Sequence, residues 1–168
     1  MGTIDKINKS SQSEFIKIFY NIFENAKWIA EKLDNQKPFS DFEELSSKIL
    51  NIFETATKEK QLKILNSHPD LADKTKIGSL TTESREEQSN AGLDQCSEEE
   101  FIEFKNLNEK YKKKFGFPFI YAVKGKSKME ILSNFRRRIS YDIKDEFIEA
   151  KKQVKKIASL RLNEINKK

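Results

Sequence analysis

The one histidine of this 168-residue chain, His68, stands directly before one of its three prolines, in the stretch Asn66-Ser67-His68-Pro69-Asp70-Leu71-Ala72. An imidazole is the side chain whose ordinary pKa lies near neutrality, so a general acid or base working near pH 7 is most simply this residue. Pro69 fixes the backbone that follows and can hold the ring in a set direction; the plainer reading is a structural histidine at a polar turn. Two further features carry chemistry. In "SREEQSNAG", Ser84, Glu87, Gln88 and Ala91 fall at i, i+3, i+4 and i+7 and share one helix face, hydrogen-bonding but sterically small. Such a face is either solvated surface or a wall that reads the amide and N–H groups of a small heterocycle, for which Glu and Gln carry suitable donors and acceptors. Arg161 follows Val154 by seven residues and Ala158 by three, inside the apolar stripe of the last helix. There it is either a salt-bridged arginine at the core margin or an anion holder, since its planar fork matches a carboxylate and stays charged.

Counting excludes several mechanisms. One histidine and one cysteine, Cys96, do not make a nitrogen and sulfur zinc set. Five glycines hold no phosphate loop or dinucleotide fingerprint, and there is no Gly-x-Ser-x-Gly elbow. Neither a metal nor an organic cofactor is expected, which leaves acid, base and hydrogen-bond chemistry by side chains. The net charge of +5 comes from 32 bases interleaved with 27 acids, so nucleic acid is not an expected partner. In the run Arg136-Arg137-Arg138 successive side chains turn by about 100° on a helix, and the run reads as a solvated helix flank. No window resembles a membrane span, the N-terminal "MGTIDKINKSSQSEF" lacks a signal-like apolar core, and the C-terminal "NEINKK" lacks a Ser-Lys-Leu address. A lone cysteine suits a reducing compartment, and the expected location is the cytoplasm.

The elements that must position these residues are helices. Ser-x-x-Glu capping boxes recur at Ser11 with Glu14, Ser40 with Glu43, Ser97 with Glu100 and Ser127 with Glu130, each ahead of apolar residues at helical spacing. The first such helix is expected to carry Phe15, Phe19, Ile22 and Phe23 on one face. Thr57 caps a short helix through Leu62 and Leu65 that Pro69 forbids from continuing, so His68 is a helix-exit residue. Gly92 and Gly116 stand where C-terminal caps belong. The stretch "FPFIYAV", residues 117–123, is strand-like but solitary and reads as extended chain whose amides can serve a ligand. A closing helix runs from about Ile143 to Asn163 with Phe147, Ala150, Val154, Ile157 and Ala158 as its apolar stripe. The expected architecture is all-α, a single-domain multi-helix bundle over residues 1–168 with a short extended segment at 117–123.

Taken in order, "HPDLA" (68–72), "SREEQSNAGLD" (84–94) and "LNEKYKKKFGFPFIYAVKGKSKMEIL" (107–132) resemble the OHCU decarboxylase family. The likeness runs over nearly the whole chain, including "EFIKIFYNIFENAKWIAEKL" near the start and "KKIASLRL" near the end. No single motif is decisive; their order and spacing together are specific. The resemblance implies an all-helical, cofactor-free enzyme of urate degradation that converts 2-oxo-4-hydroxy-4-carboxy-5-ureidoimidazoline (OHCU) to (S)-allantoin and carbon dioxide. It implies His68 as the catalytic residue. It also implies substrate contacts from Pro69, Ser84, Glu87, Gln88, the segment Phe119, Ile120, Tyr121, Ala122 and Val123 through its main chain, and Arg161. The expected partners are the small-molecule substrate and, in a homodimer, a second copy of the chain, with neither nucleic acid nor membrane. Two rivals stand beside this reading: a helical binding or regulatory module of the same fold without turnover, and a basic helical protein that binds nucleic acid.

Overall fold

Nine α-helices and no strand occur among residues 2–73 and 80–167, which the computed structural model describes. They are α1 (Thr3–Lys9), α2 (Gln12–Phe19), α3 (Lys27–Asp34), α4 (Phe42–Glu54), α5 (Lys58–Ser67), α6 (Thr82–Asn90), α7 (Glu98–Phe115), α8 (Lys128–Arg138) and α9 (Ile143–Asn166), with a 3-10 turn at Leu93–Gln95. The all-α expectation therefore holds. By internal contacts the chain forms two compact units, Met1–Ser67 with Lys155–Lys168, and His68–Val154. No helix is long and apolar enough to cross a membrane among the described residues.

Local sequence explains most helix ends. Ser11 accepts the Glu14 N–H while its own N–H goes to the Glu14 carboxylate, and Ser97 and Glu100 repeat this reciprocal box at α7. Ser127 caps α8 by accepting the Glu130 N–H at 3.2 Å, and Thr57 accepts the Lys60 N–H at 3.2 Å ahead of α5. At α4 the box lies one residue later than expected. Asp41 is the N-cap, accepting the Glu44 N–H at 2.7 Å, and Ser40 gives its N–H and hydroxyl to the Glu44 carboxylate at 2.6 and 2.8 Å. Aspartate caps as well as serine, and Glu44 rather than Glu43 then occupies the third position. Gly92 and Gly116 adopt left-handed φ angles of 78° and 80°, as their capping places require. Helices α1 and α3 have Gly2 and Ala26 at their N-caps with no side-chain hydrogen bond, so no sequence signal marks them.

Two expected stripes change. Helix α2 ends at Phe19, so Ile22 and Phe23 reach the core from the following turn, 4% and 2% exposed. Helix α9 continues to Asn166, and the buried residue of its opening turns is Glu146, with Phe147 half-buried. The first unit packs α2 on α3 and α3 on α4 around Phe15, Leu33, Leu45, Ile49 and Phe53, with the Phe23 and Phe53 rings 5.0 Å apart. The second gathers Phe104, Tyr111, Phe119 and Phe135. Each such side chain contributes about 1.5–3 kcal/mol by leaving water.

The Ser40 bonds, with Lys48 behind them, hold the Glu44 carboxyl down at about 2 from an ordinary 4.5. A folded-state pKa below the unfolded one adds stability that is complete above the unfolded value and is lost as pH falls through the folded one. Between pH 5 and pH 2 the unmutated protein should therefore lose more stability than Glu44→Gln does, read from urea midpoints at each pH. Parallel acid limbs would show that this cap has no share in acid unfolding.

Candidate active site

Helix α5 stops at Ser67, as Pro69 demands, and His68 follows it with 9% of its surface exposed. The turn after it is fastened from two helices. Gln88 of α6 accepts the Ala72 N–H at 3.0 Å through its amide oxygen and donates its amide nitrogen to the Asp70 carbonyl at 3.3 Å. Asn108 of α7 donates to the Leu71 carbonyl at 3.0 Å, and Lys112, one turn on, pairs with the Asp70 carboxylate at 2.7 Å. Ala72 sits at φ 56°, left-handed backbone that an L-residue with a Cβ seldom adopts. The residues around His68 are thus a built turn.

The polar face of α6 is turned inward. Ser84 and Gln88 are 4% and 6% exposed, Ala91 is 7% exposed, and Glu87 is half-buried, while Arg85 and Glu86 face solvent. That removes the solvated-surface reading of "SREEQSNAG". Thr81 caps the helix by accepting the Ser84 N–H at 3.2 Å. Burial without an apolar stripe makes sense because this face carries hydrogen bonds to main chain, as Gln88 does.

The segment 117–123 forms neither helix nor strand, and helix side chains pair two of its main-chain groups. Phe117, Phe119, Ile120, Ala122 and Val123 are buried, with Tyr121 half-exposed. Arg138 donates Nη1 to the Ile120 carbonyl at 2.7 Å, and Gln153 accepts the Ala122 N–H at 3.0 Å. Phe119 stacks on the Phe135 ring, 3.9 Å away and nearly parallel, and the Arg138 guanidinium lies 4.5 Å from its centroid. Arg138 also donates Nε to Glu146 Oε1 at 2.7 Å, and the Tyr111 hydroxyl donates to the same oxygen. Burial, then the bond to Glu146 and its charge, push the Tyr111 phenol far above its ordinary range, so it stays a donor. The arginine run is therefore not a solvated flank throughout. Arg138 is 1% exposed, because its place three residues after Phe135 puts it on the buried face of α8. Arg136 remains outside, paired with Glu103 at 2.6 Å.

Arg161 belongs to the first unit and is buried at 7% exposure, as its spacing after Val154 and Ala158 implies. It donates Nη1 to the Asn21 carbonyl at 2.8 Å and Nη2 to Glu24 Oε1 at 2.9 Å. A salt-bridged arginine is what the structure contains. Its partner Glu24, 3% exposed, is a buried acid that sequence reading passed over, although it interrupts the apolar run "NIFENAKWIA".

The OHCU decarboxylase family model matches residues 8–163. The chain belongs to the OHCU decarboxylase family. It is 38% identical to the 2-oxo-4-hydroxy-4-carboxy-5-ureidoimidazoline decarboxylase of Haloferax volcanii over 96% of this chain and 95% of that protein. It is 42% identical to the uric acid degradation bifunctional protein of Bacillus sp. strain TB-90, matching 98% of this chain but 32% of that longer one. The crystal structure of an (S)-allantoin synthase superposes with a TM-score of 0.77 at 27% identity, over 98% of this chain and 54% of that chain. An OHCU decarboxylase crystallised in the presence of (S)-allantoin shares the fold, with a TM-score of 0.73 at 21% identity over 95% of this chain and all of that one.

For this OHCU decarboxylase family member the residues missed from sequence are, besides Glu24, Asn108, Arg138, Glu146 and Gln153, polar positions on buried helix faces. Arg138→Met should leave the Glu146 charge short of its cation and destabilise the fold by about 3–5 kcal/mol in urea unfolding. Adding Glu146→Leu should recover part of that loss. Wild-type stability in Arg138→Met would mean that Arg138 does not hold the segment.

Proposed function

We propose that this protein is the decarboxylase of OHCU, releasing carbon dioxide and giving (S)-allantoin in urate degradation. The observation that carries the reading is the single imidazole set on a fastened turn in a chain that the family matches nearly end to end. The full-length relative from Haloferax volcanii, named for this reaction, supports it.

The chemistry suits the residues. When the carboxylate leaves, the C–C bond breaks and its electron pair moves into the neighbouring ring C=N, which takes up a proton at nitrogen. The resulting enol gives up its hydroxyl proton while one ring carbon gains a proton from one face, so one proton is added in all. His68 is the donor to that carbon in this reading, since an imidazole near neutrality both holds and regains a proton. Pro69 fixes the turn beside it. Glu87 and Ser84 meet the ureido and ring N–H groups, with Gln88 bordering them while its amide fastens the turn. Main-chain groups of Phe119, Ile120, Tyr121, Ala122 and Val123 orient the ring from a segment that Arg138 and Gln153 hold still. Arg161 takes the carboxylate, sharing its fork with Glu24. The ring's own C=N is the electron sink, so the reaction as written needs no metal or organic cofactor. The protein works in the cytoplasm as one domain, with no role for nucleic acid; burial of Arg138 and pairing of Arg136 divide the basic run that suggested one.

With substrate generated in situ from urate, the protein should raise the circular dichroism of allantoin faster than the blank and with one sign. His68→Asn should lower that rate by roughly a hundredfold or more with unchanged far-ultraviolet spectrum. A racemic product would overturn the assignment, and a near wild-type rate in His68→Asn would remove the imidazole from it. Arg161→Lys keeps the charge but not the planar fork and should lose most activity. Full activity there would leave Arg161 a structural role, with Glu24 and the Asn21 carbonyl.

A further inference from the structure

We propose that Asn108 is a positioning residue for His68, holding the main chain of residues 70–72 in the turn that aims the imidazole. The inference rests on the decarboxylase reading of the site and extends it to a side chain on another helix. Asn108 lies in the buried stripe of α7 formed with Phe104, Tyr111 and Phe115, and is 4% exposed. An amide in such a place is unfavourable unless it is hydrogen-bonded. Its nitrogen goes to the Leu71 carbonyl, 37 residues back in the chain, at 3.0 Å. Its oxygen is buried without a hydrogen-bond partner among the described residues. A hydrocarbon of the same size would fill the stripe with no such orphan, so the donor arm is what the position uses.

The turn needs that arm. Ala72 is left-handed at φ 56°, a conformation that persists in an alanine only where its surroundings over-determine it. Gln88 holds the Asp70 carbonyl and the Ala72 N–H, and Asn108 holds the Leu71 carbonyl between them, so three consecutive residues are pinned from α6 and α7. His68 precedes them by one proline, whose fixed φ passes a displacement of the turn on to the imidazole instead of absorbing it. Asn108 therefore acts through the backbone and need not touch substrate.

Because His68 is the chain's one histidine, its ring C–H signal in proton NMR is unique and reports the turn in substrate-free protein. Asn108→Leu keeps the volume and removes the donor. It should move the His68 signal and its titration midpoint and lower kcat at least tenfold, with KM changed less than threefold. Adding Ala72→Gly, for which the left-handed backbone is unstrained, should return the signal toward wild type and raise kcat at least threefold over Asn108→Leu. Should Asn108→Leu fold poorly by thermal unfolding, Asn108→Ser, too short to reach Leu71, replaces it. A folded variant with an unmoved His68 signal and kcat within twofold of wild type would overturn the proposal, as would a rise in KM alone. If the unmutated protein does not decarboxylate, the decarboxylase reading fails while the His68 signal still decides whether Asn108 sets the turn.

Discussion

Backbone that leaves a helix inside a core takes with it N–H and C=O groups that no ladder will pair, and leaving one unmade costs about 1–3 kcal/mol. Several of the buried polar side chains of this protein answer that constraint. Gln61 donates to the Phe53 and Glu54 carbonyls at the end of α4. Gln88 and Asn108 hold residues 70–72, Arg138 and Gln153 hold 120 and 122, and Arg161 holds 21. Each of these side chains stands on a helix and ends on the main chain of a segment, or a helix end, that lacks ladder partners. The helices supply rigidity; the segments supply the irregular geometry that helices cannot.

The same division explains where the chemistry is placed. A turn or an extended strip can bring main-chain amides and an imidazole to a ligand, but alone it fluctuates. Rigid anchors at several atoms reduce that motion to what the helices allow. At 117–123 the anchor is composite. The Arg138 guanidinium binds a carbonyl, covers the Phe119 face and meets Glu146, and Glu146 also takes the Tyr111 proton. Because the phenol is pushed upward, that proton stays in place across the neutral range. Helix α7 serves both segments, with Asn108 and Lys112 on the turn and Tyr111 on the network.

Much of this could be read from sequence where one local rule sufficed. Capping boxes at Ser11 and Ser97, glycines at 92 and 116 and the stop before Pro69 follow from two or three neighbouring residues. Reading failed where two local solutions compete or where the partner is distant. Ser40 and Asp41 are both capping residue types, and Glu43 and Glu44 both stand at the answering distance, so only the packed helix selects Asp41 with Glu44. Helices α1 and α3 form without side-chain N-caps, held by burial of Ile7, Ile29, Ala30 and Leu33. The fan of three arginines was sound geometry drawn to the wrong end. If successive side chains point about 100° apart, one of three must approach the core, and Arg138 lies on the face of Ile131 and Phe135. Asn108 between Phe104 and Tyr111 carried the same signal: a polar residue at an apolar position, whose partner, Leu71, lies far back in the chain.

On the reading proposed above, the pairing of Arg161 with Glu24 bears on the rate of the decarboxylation step. Decarboxylation turns an anion into neutral carbon dioxide, so a site that grips the carboxylate with an unopposed cation stabilises the ground state more than the transition state and slows the step. A guanidinium already facing a buried carboxylate still offers directed N–H groups, which orient the leaving group. Much of its charge is answered by Glu24 at 2.9 Å, so it does not reward the carboxylate for remaining ionised. The arrangement that looks like a spent arginine is then the form in which an arginine can hold a carboxylate that must leave.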